Sequence, residues 1–349
     1  MTELTPTIDA DDRRAARGHV RLALIVLALL AGIFVSADVC ERHDQWLLHR
    51  RLVQWRLTNG SYFDGRYFDN PEERLLYHSL PSHDFSRGGV WFFGSSPTQQ
   101  AVLPWEFPAD IRPRVENFSM AGANHNNERR FMRCLIDHHG LLAAGGDKSL
   151  VVIELLFGSA CHDRTPVQQY MQDVWDGYFT RYGMYYFGAD GEILPTEMTP
   201  LECTFKSQSL RSHVFLSWLL RHENNWLKPP EHAITSEILR YWSDRFGPNW
   251  EAGMDAEIAE LSAAIDYLQA RHANVAGLYF PQRQWARDYR PAIRYRQRVM
   301  ALMAAKSVQV IDLRDSFDES EFADSVHLNY VGSMKLQPRL IELAQRQLQ

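Results

Sequence analysis

Two short motifs far apart in the chain hold residue types that together perform nucleophilic catalysis. Gly94-Ser95-Ser96 directly follows the apolar run Val90-Trp91-Phe92-Phe93, and Asp324-Ser325-Val326-His327 stands just before a C-terminal helical pattern. The first puts a serine hydroxyl at the end of a buried strand, on the turn that opens a helix. The second supplies a histidine with a carboxylate three residues upstream. A nucleophilic serine needs a base within hydrogen-bond reach and an acid to orient that base, and these motifs contain all three. Each has a plainer use as well. Ser96 is well placed to cap a helix, and Asp-x-x-His arises often by chance. Order favours chemistry: strand, Gly-Ser-Ser and helix come first, Asp-x-x-His and a final helix last.

With these residues the chain resembles the SGNH (GDSL-like) hydrolase superfamily, whose first block reads Gly-Asp/Ser-Ser and whose last reads Asp-x-x-His. The resemblance runs from about Val90 to the C-terminus, interrupted by a long insertion. It implies Ser96 as nucleophile, His327 as base and Asp324 as the orienting acid. Residues Arg114 to Asn124 are similar to the family's second block, an Asn-x-Ser/Gly-x-x-Gly pattern after a strand, and Gly122 matches the glycine that donates its backbone N–H to the oxyanion. A glycine there lets backbone approach a tetrahedral intermediate closely. A plain strand-to-helix turn accounts for the same residues.

The third block departs from the pattern. After Leu150-Val151-Val152-Ile153-Glu154-Leu155-Leu156 the family has Gly-x-Asn, whose amide is another oxyanion donor; here Phe157-Gly158-Ser159 stands instead. Either Gly158 contributes only backbone, or another group such as Asn124 fills the role. Loss of one such donor costs on the order of 3 kcal/mol of transition-state stabilisation. A slow hydrolase or an acyltransferase with a rearranged oxyanion hole is then expected. Membrane-anchored acyltransferases, including the D-alanine transfer proteins of teichoic-acid modification, are similar in this blurred third block.

The N-terminus carries a second signal. Leu22 to Ala37 is an apolar run preceded by Arg13, Arg14, Arg17 and Arg21, with Arg42 the nearby basic residue after it. That is close to the ~17–25 residues that cross a bilayer, and the asymmetry of basic residues directs the N-terminus to the cytoplasm. A cleaved signal peptide ending near Val35-Ser36-Ala37 is the rival; both export the same domain. The expected layout is a cytoplasmic tail (1–20), an anchor (21–39) in the inner membrane, a membrane-proximal stalk and irregular segment (40–86), and an extracytoplasmic catalytic domain (87–349).

A formal net charge of -6 with no basic cluster after the anchor argues against nucleic acid as partner. Four cysteines (Cys40, Cys134, Cys161 and Cys203) show no metal-type spacing; Cys161 and Cys203 pair across the insertion, or all stay free. His138-His139 and His162-Asp163 lack a third ligand at telling spacing, and no glycine-rich phosphate loop occurs, so neither metal nor cofactor is expected. Arg283, just past an apolar run, is a candidate for holding an anionic substrate, or a solvated loop residue. Glu154, inside an apolar strand, is a buried acid near the site or faces a helix N-terminus.

What must position these residues is an α/β fold. Short apolar runs at Val90–Phe93, Val115–Phe118, Leu150–Leu156, Val275–Phe280 and Val308–Leu313 alternate with helical patterns, notably Asn124–His138 and Asp255–Arg271. This predicts a parallel, doubly wound sheet of about five strands, and the resemblance implies the three-layer α/β/α, flavodoxin-like SGNH arrangement. Such sheets bind ligands at the carboxyl ends of their strands, where Ser96, Gly122 and Gly158 fall. Residues 157 to about 250 form an aromatic-rich, mostly helical insertion with a helical stretch near Val214–Leu220, its rings either a cap core or a lining for substrate. Glu41 to Leu57 reads as an amphipathic stalk or a helix packed on the domain.

The expected function is acyl transfer through a serine ester to a cell-envelope polysaccharide or glycolipid, from an acyl donor that similar systems receive through an integral membrane partner. A carbohydrate or lipid esterase of the same fold and a non-catalytic envelope assembly protein are the alternatives.

Overall fold

The computed structural model describes residues 10–43, 62–63, 85–119, 122–160, 186–187, 193–194, 227–228 and 235–348. The predicted stretch around Val214–Leu220, Cys161, Cys203, His162, Asp163 and most of the stalk and insertion lie outside them.

Five strands form one all-parallel sheet: β1 (Val90–Phe93), β2 (Val115–Asn117), β3 (Leu150–Leu155), β4 (Asn274–Tyr279) and β5 (Gln309–Asp312), in the order β2-β1-β3-β4-β5. The central strands are unbroken apolar runs because both faces are covered: every residue of β1 and of β3 is buried. β5, at an edge, is buried at none of its four positions. Register aligns the strand ends, with Phe93 opposite Ile153, Leu155 opposite Tyr279 and Tyr279 opposite Asp312. Parallel pairing delivers all five carboxyl ends to one side. The order reverses between β1 and β3, which makes their carboxyl ends the rim of the switch-point crevice.

The helices are α1 (Ala10–His43), α2 (Ser96–Ala101), α3 (His125–His139), α4 (Phe157–Ala160), α5 (Thr235–Phe246), α6 (Trp250–Gln269), α7 (Gln284–Arg287), α8 (Arg290–Ala305) and α9 (Tyr330–Leu348). α6 begins five residues before the expected Asp255, its N-cap being Asn249 after Gly247-Pro248. Gly253 and Met254 in that added turn are buried, so packing extends the helix beyond its acidic start signal. α6 packs on α3 and α8, and α9 on α2. Gln337 of α9 is buried and locks that second contact: its Nε2 donates to the Ala101 carbonyl (2.7 Å) and its Oε1 accepts from Leu103 N–H (3.2 Å).

Two two-stranded antiparallel pairs, Tyr62–Phe63 with Leu227–Lys228 and Tyr186–Phe187 with Ile193–Leu194, stand outside the main sheet. In α1 the span Arg17–Ser36 is 20 residues long with mean hydropathy 2.2 and none of it buried. At ~1.5 Å per residue it extends about 30 Å, the hydrocarbon thickness of a bilayer. It is long and apolar enough to cross a membrane.

Candidate active site

The turn after β1 is shaped by crowding. A Cβ on Gly94 would lie 2.7 Å from Glu154 Cβ, so only glycine lets β1 leave the sheet so close to β3. Ser95 is the N-cap of α2 by position, yet its hydroxyl makes no capping bond. It donates instead to Glu154 Oε1 (2.5 Å), while Glu154 Oε2 accepts the Thr98 N–H (3.0 Å) and the Thr98 hydroxyl. Glu154 is 1% exposed, and three donors compensate the burial of its carboxyl group. Of the two readings of that acid, the second describes its contacts: it sits at the N-terminus of α2. Asn117, at the end of β2, grips the other end of the helix, its Nδ2 donating to the carbonyls of Thr98 (3.1 Å) and Val102 (2.9 Å). The turn is thus fixed from two neighbouring strands.

Ser96 occupies the first helical position with its side chain partly exposed. The capping role belongs to Ser95's position, and the Ser96 hydroxyl faces elsewhere: its Oγ is 2.9 Å from His327 Nε2. His327 Nδ1 is 2.7 Å from Asp324 Oδ2, and Asp324 Oδ1 accepts the backbone N–H groups of Val326 (2.9 Å) and His327 (2.8 Å). With the proton on Nδ1 directed at the carboxylate, Nε2 presents its lone pair to the serine hydroxyl. Burial alone would raise the Asp324 pKa; the charge of His327, its ring N–H and the two backbone donors more than offset this, and the carboxyl is held below its ordinary range. The turn bearing both residues is closed by a bridge between Phe322 and Leu328 and by Ala323 N–H donating to the His327 carbonyl (2.9 Å). Asn329, fully buried, ties this turn to α9: its Nδ2 donates to Ser320 O (2.7 Å) and its Oδ1 accepts Gly332 N–H (3.0 Å).

The remaining candidates are placed less uniformly. Gly122 has φ 72°, a left-handed conformation that favours glycine, on the turn between β2 and α3. Asn124 caps α3: its Oδ1 accepts Asn127 N–H (2.9 Å) and its own N–H donates to Asn127 Oδ1 (3.3 Å). The cap commits the amide oxygen to α3. Gly158 is buried in α4, where a Cβ would meet the Trp242 ring at 3.1 Å; it lies against an aromatic ring, with no polar contact to the triad. Arg283 is paired rather than free: Nε donates to Glu319 Oε2 (2.6 Å) and Nη1 to the Asp324 carbonyl (3.0 Å).

Behind this end of the sheet lies a buried acid–imidazole group. His125 Nδ1 is 3.0 Å from Glu128 Oε2 and its Nε2 is 3.0 Å from the Tyr295 hydroxyl, while Glu257 accepts Asn126 N–H (3.1 Å). Burial, stronger than the attraction of His125, pushes the Glu128 carboxyl up to about 7. Burial disfavours the His125 imidazolium, but the neighbouring carboxylates, Glu128 first, leave its pKa raised. Glu154 belongs to the field of the same group.

Thr98 carries no signature of its own in the sequence; Ser95 and Asn117 fall inside the Gly-Ser-Ser and Asn-x-Ser-x-x-Gly patterns, which do not announce their contacts with Glu154 and α2, and Asn329 shows only as a cap type just before a helix. Cys134 is buried. Among the described residues no group of three or more His, Cys, Asp or Glu is disposed to hold a metal ion. The chain matches no protein-family model, and no curated protein matches it.

Proposed function

We propose that the chain is a membrane-anchored serine acyl-transfer enzyme of the SGNH kind, with a three-layer α/β/α catalytic domain outside the cytoplasm. The observation that carries this reading is the continuous chain from the Ser96 hydroxyl through His327 to Asp324, at 2.9 and 2.7 Å. Ser96 Oγ attacks the carbonyl carbon of an ester donor as its proton passes to His327 Nε2. The resulting oxyanion is held by backbone N–H groups of Ser96 and Gly122, with the Asn124 amide as third donor in place of the absent block-three asparagine. Collapse breaks the ester bond, and the imidazolium returns its proton to the departing alcohol. An acceptor hydroxyl then attacks the acyl-serine, giving up its proton to His327, which returns it to Ser96 Oγ as the acyl-serine bond breaks. Asp324 holds the Nδ1–H tautomer and offsets the imidazolium charge.

A sugar hydroxyl as acceptor makes the enzyme an O-acyltransferase; water makes it an esterase. The span Arg17–Ser36 favours the former, because tethering concentrates the site near membrane-borne donors and envelope glycans. An integral membrane protein that presents the acyl donor is the partner this arrangement calls for. The test is envelope ester content in cells carrying the wild-type chain or Ser96→Ala, beside aryl-ester hydrolysis by the purified proteins. Ester content that falls with Ser96→Ala supports transfer. Ester content unchanged on every envelope glycan, with hydrolysis lost, leaves the esterase; both unchanged removes the catalytic reading.

A further inference from the structure

We propose that Arg283 and Trp285 are positioning residues: from the end of β4 they hold two consecutive backbone carbonyls of the Asp324–His327 turn, and so keep the Asp324 carboxylate in line with His327 and Ser96. The proposal rests on the triad reading above.

Four residues separate β4 from α7, and Arg283 is the N-cap of that helix. Its Nη1 donates to the Asp324 carbonyl (3.0 Å), and Trp285 Nε1 donates to the Ser325 carbonyl (3.1 Å). Both donors are themselves fixed. Glu319 accepts from Arg283 Nε through one oxygen and from the Gln284 N–H through the other, each at 2.6 Å. The Trp285 ring is 8% exposed and packs against Phe157, Trp242 and Tyr289 at centroid distances of 5.8, 6.1 and 5.8 Å. The acid thus sits on a turn closed by the Phe322–Leu328 bridge, by backbone bonds from Ala323 to His327 and from Asn329 to Glu321, and by the Asp324 carboxylate itself, and two of its consecutive carbonyls are caught by side chains from another strand end.

Catalytic groups need placement to within about 0.5 Å, and a loop gives that only when something braces it. Glu319 is half exposed, so the Arg283–Glu319 ion pair adds little stability by itself. Its consequence is orientation: it aims one Nη1 N–H at Asp324 O. Arg283, with these two donors committed, acts through Asp324 and is no free cation for substrate.

The test uses the full-length chain in detergent micelles, as wild type, Arg283→Ala, Arg283→Lys and Trp285→Phe. Two quantities are read: the rate of fluorophosphonate modification at Ser96, and the downfield proton resonance of His327 Nδ1–H bonded to Asp324. Arg283→Ala should slow modification on the order of 10- to 100-fold, the scale of a ~1 Å misplacement, and broaden or shift the resonance. Trp285→Phe keeps an aromatic side chain but loses the Nε1 donor together with the five-membered part of the indole, so its melting temperature is read alongside; it should give a smaller change of the same sign, and Arg283→Lys restores part of the rate. A purely structural role would lower the melting temperature and leave the resonance of folded Trp285→Phe protein in place. Wild-type rates and an unmoved resonance in Arg283→Ala and Trp285→Phe overturn the clamp and leave the triad standing. If Arg283→Ala does not fold, Trp285→Phe decides by the same two readings. If wild-type protein takes no label, the triad reading falls, and the resonance alone decides the clamp.

Discussion

Asp324 has the most to do of any single residue, since one carboxylate both closes its own turn and holds the His327 ring. One oxygen accepts the Val326 and His327 N–H groups while the other meets His327 Nδ1. Asp324→Asn keeps the size but can favour the wrong imidazole tautomer, so aryl-ester turnover should fall by several orders of magnitude, toward the ~10⁴ of the best-known serine-protease case. Its lowered pKa also has a sign for stability. A carboxyl whose folded pKa is depressed stabilises the fold above its unfolded pKa, and that contribution is lost as pH falls through the folded value. Wild-type protein should therefore lose melting temperature below about pH 4, the ordinary aspartate range, more steeply than Asp324→Asn; parallel acid profiles of the two would contradict this. Asp324 and His327 are legible in sequence because three residues on one turn suffice to join them. Arg283 is not: the carbonyl it holds lies 41 residues away, and no local pattern announces such a contact.

Elements, rather than residues, bring Ser96 to His327 across 231 positions. Parallel strands send Ser96 and the Asp324 turn to the same side, and the apolar run of β1 is readable because every residue in it is buried, whereas β5 is buried at none of its positions. The helix start at Trp250 is less readable than the apolar stripe after Asp255: Glu251 stands in its first turn, and burial of Gly253 and Met254 adds packing there. Glu154 is the one charged residue in β3, and sequence flags it without naming its partners. Glu154→Ala leaves the Ser95 hydroxyl and the Thr98 N–H without acceptors, and chemical denaturation should register a loss of about 3 kcal/mol. The α3 end of the sheet has its own pH signature. Glu128, raised to about 7, keeps a proton in the fold that the unfolded chain releases, so stability is full below the ordinary carboxylate range and lost as pH rises toward 7. His125, also raised, works in the same direction. Glu128→Gln should flatten the melting-temperature profile between about pH 5 and 8; an unaltered slope would assign it to other groups.

At the scale of the molecule, one helix is long and apolar enough to cross a membrane, and the function proposed above depends on which side of it the rest of the chain lies. Arg13, Arg14, Arg17 and Arg21 stand before or at the start of the apolar span, and cytoplasmic flanks carry such excess. A reporter that is active only when exported, fused after residue 349, should be active; a reporter active only in the cytoplasm would reverse the topology. In the aromatic-rich insertion a helical period shows at Ile238, Trp242 and Phe246, the buried positions of α5, and most of its other residues lie outside the described ones.

The central claim is that Ser96 is an activated nucleophile, and mapping the adduct of a fluorophosphonate probe on the full-length protein addresses it without knowledge of the substrate. The expected result is a single adduct, on the peptide carrying Ser96. It should be lost in Ser96→Ala and in His327→Ala and kept in Ser95→Ala, whose hydroxyl serves Glu154. No adduct on folded wild-type protein, or one that persists in Ser96→Ala, would contradict the account.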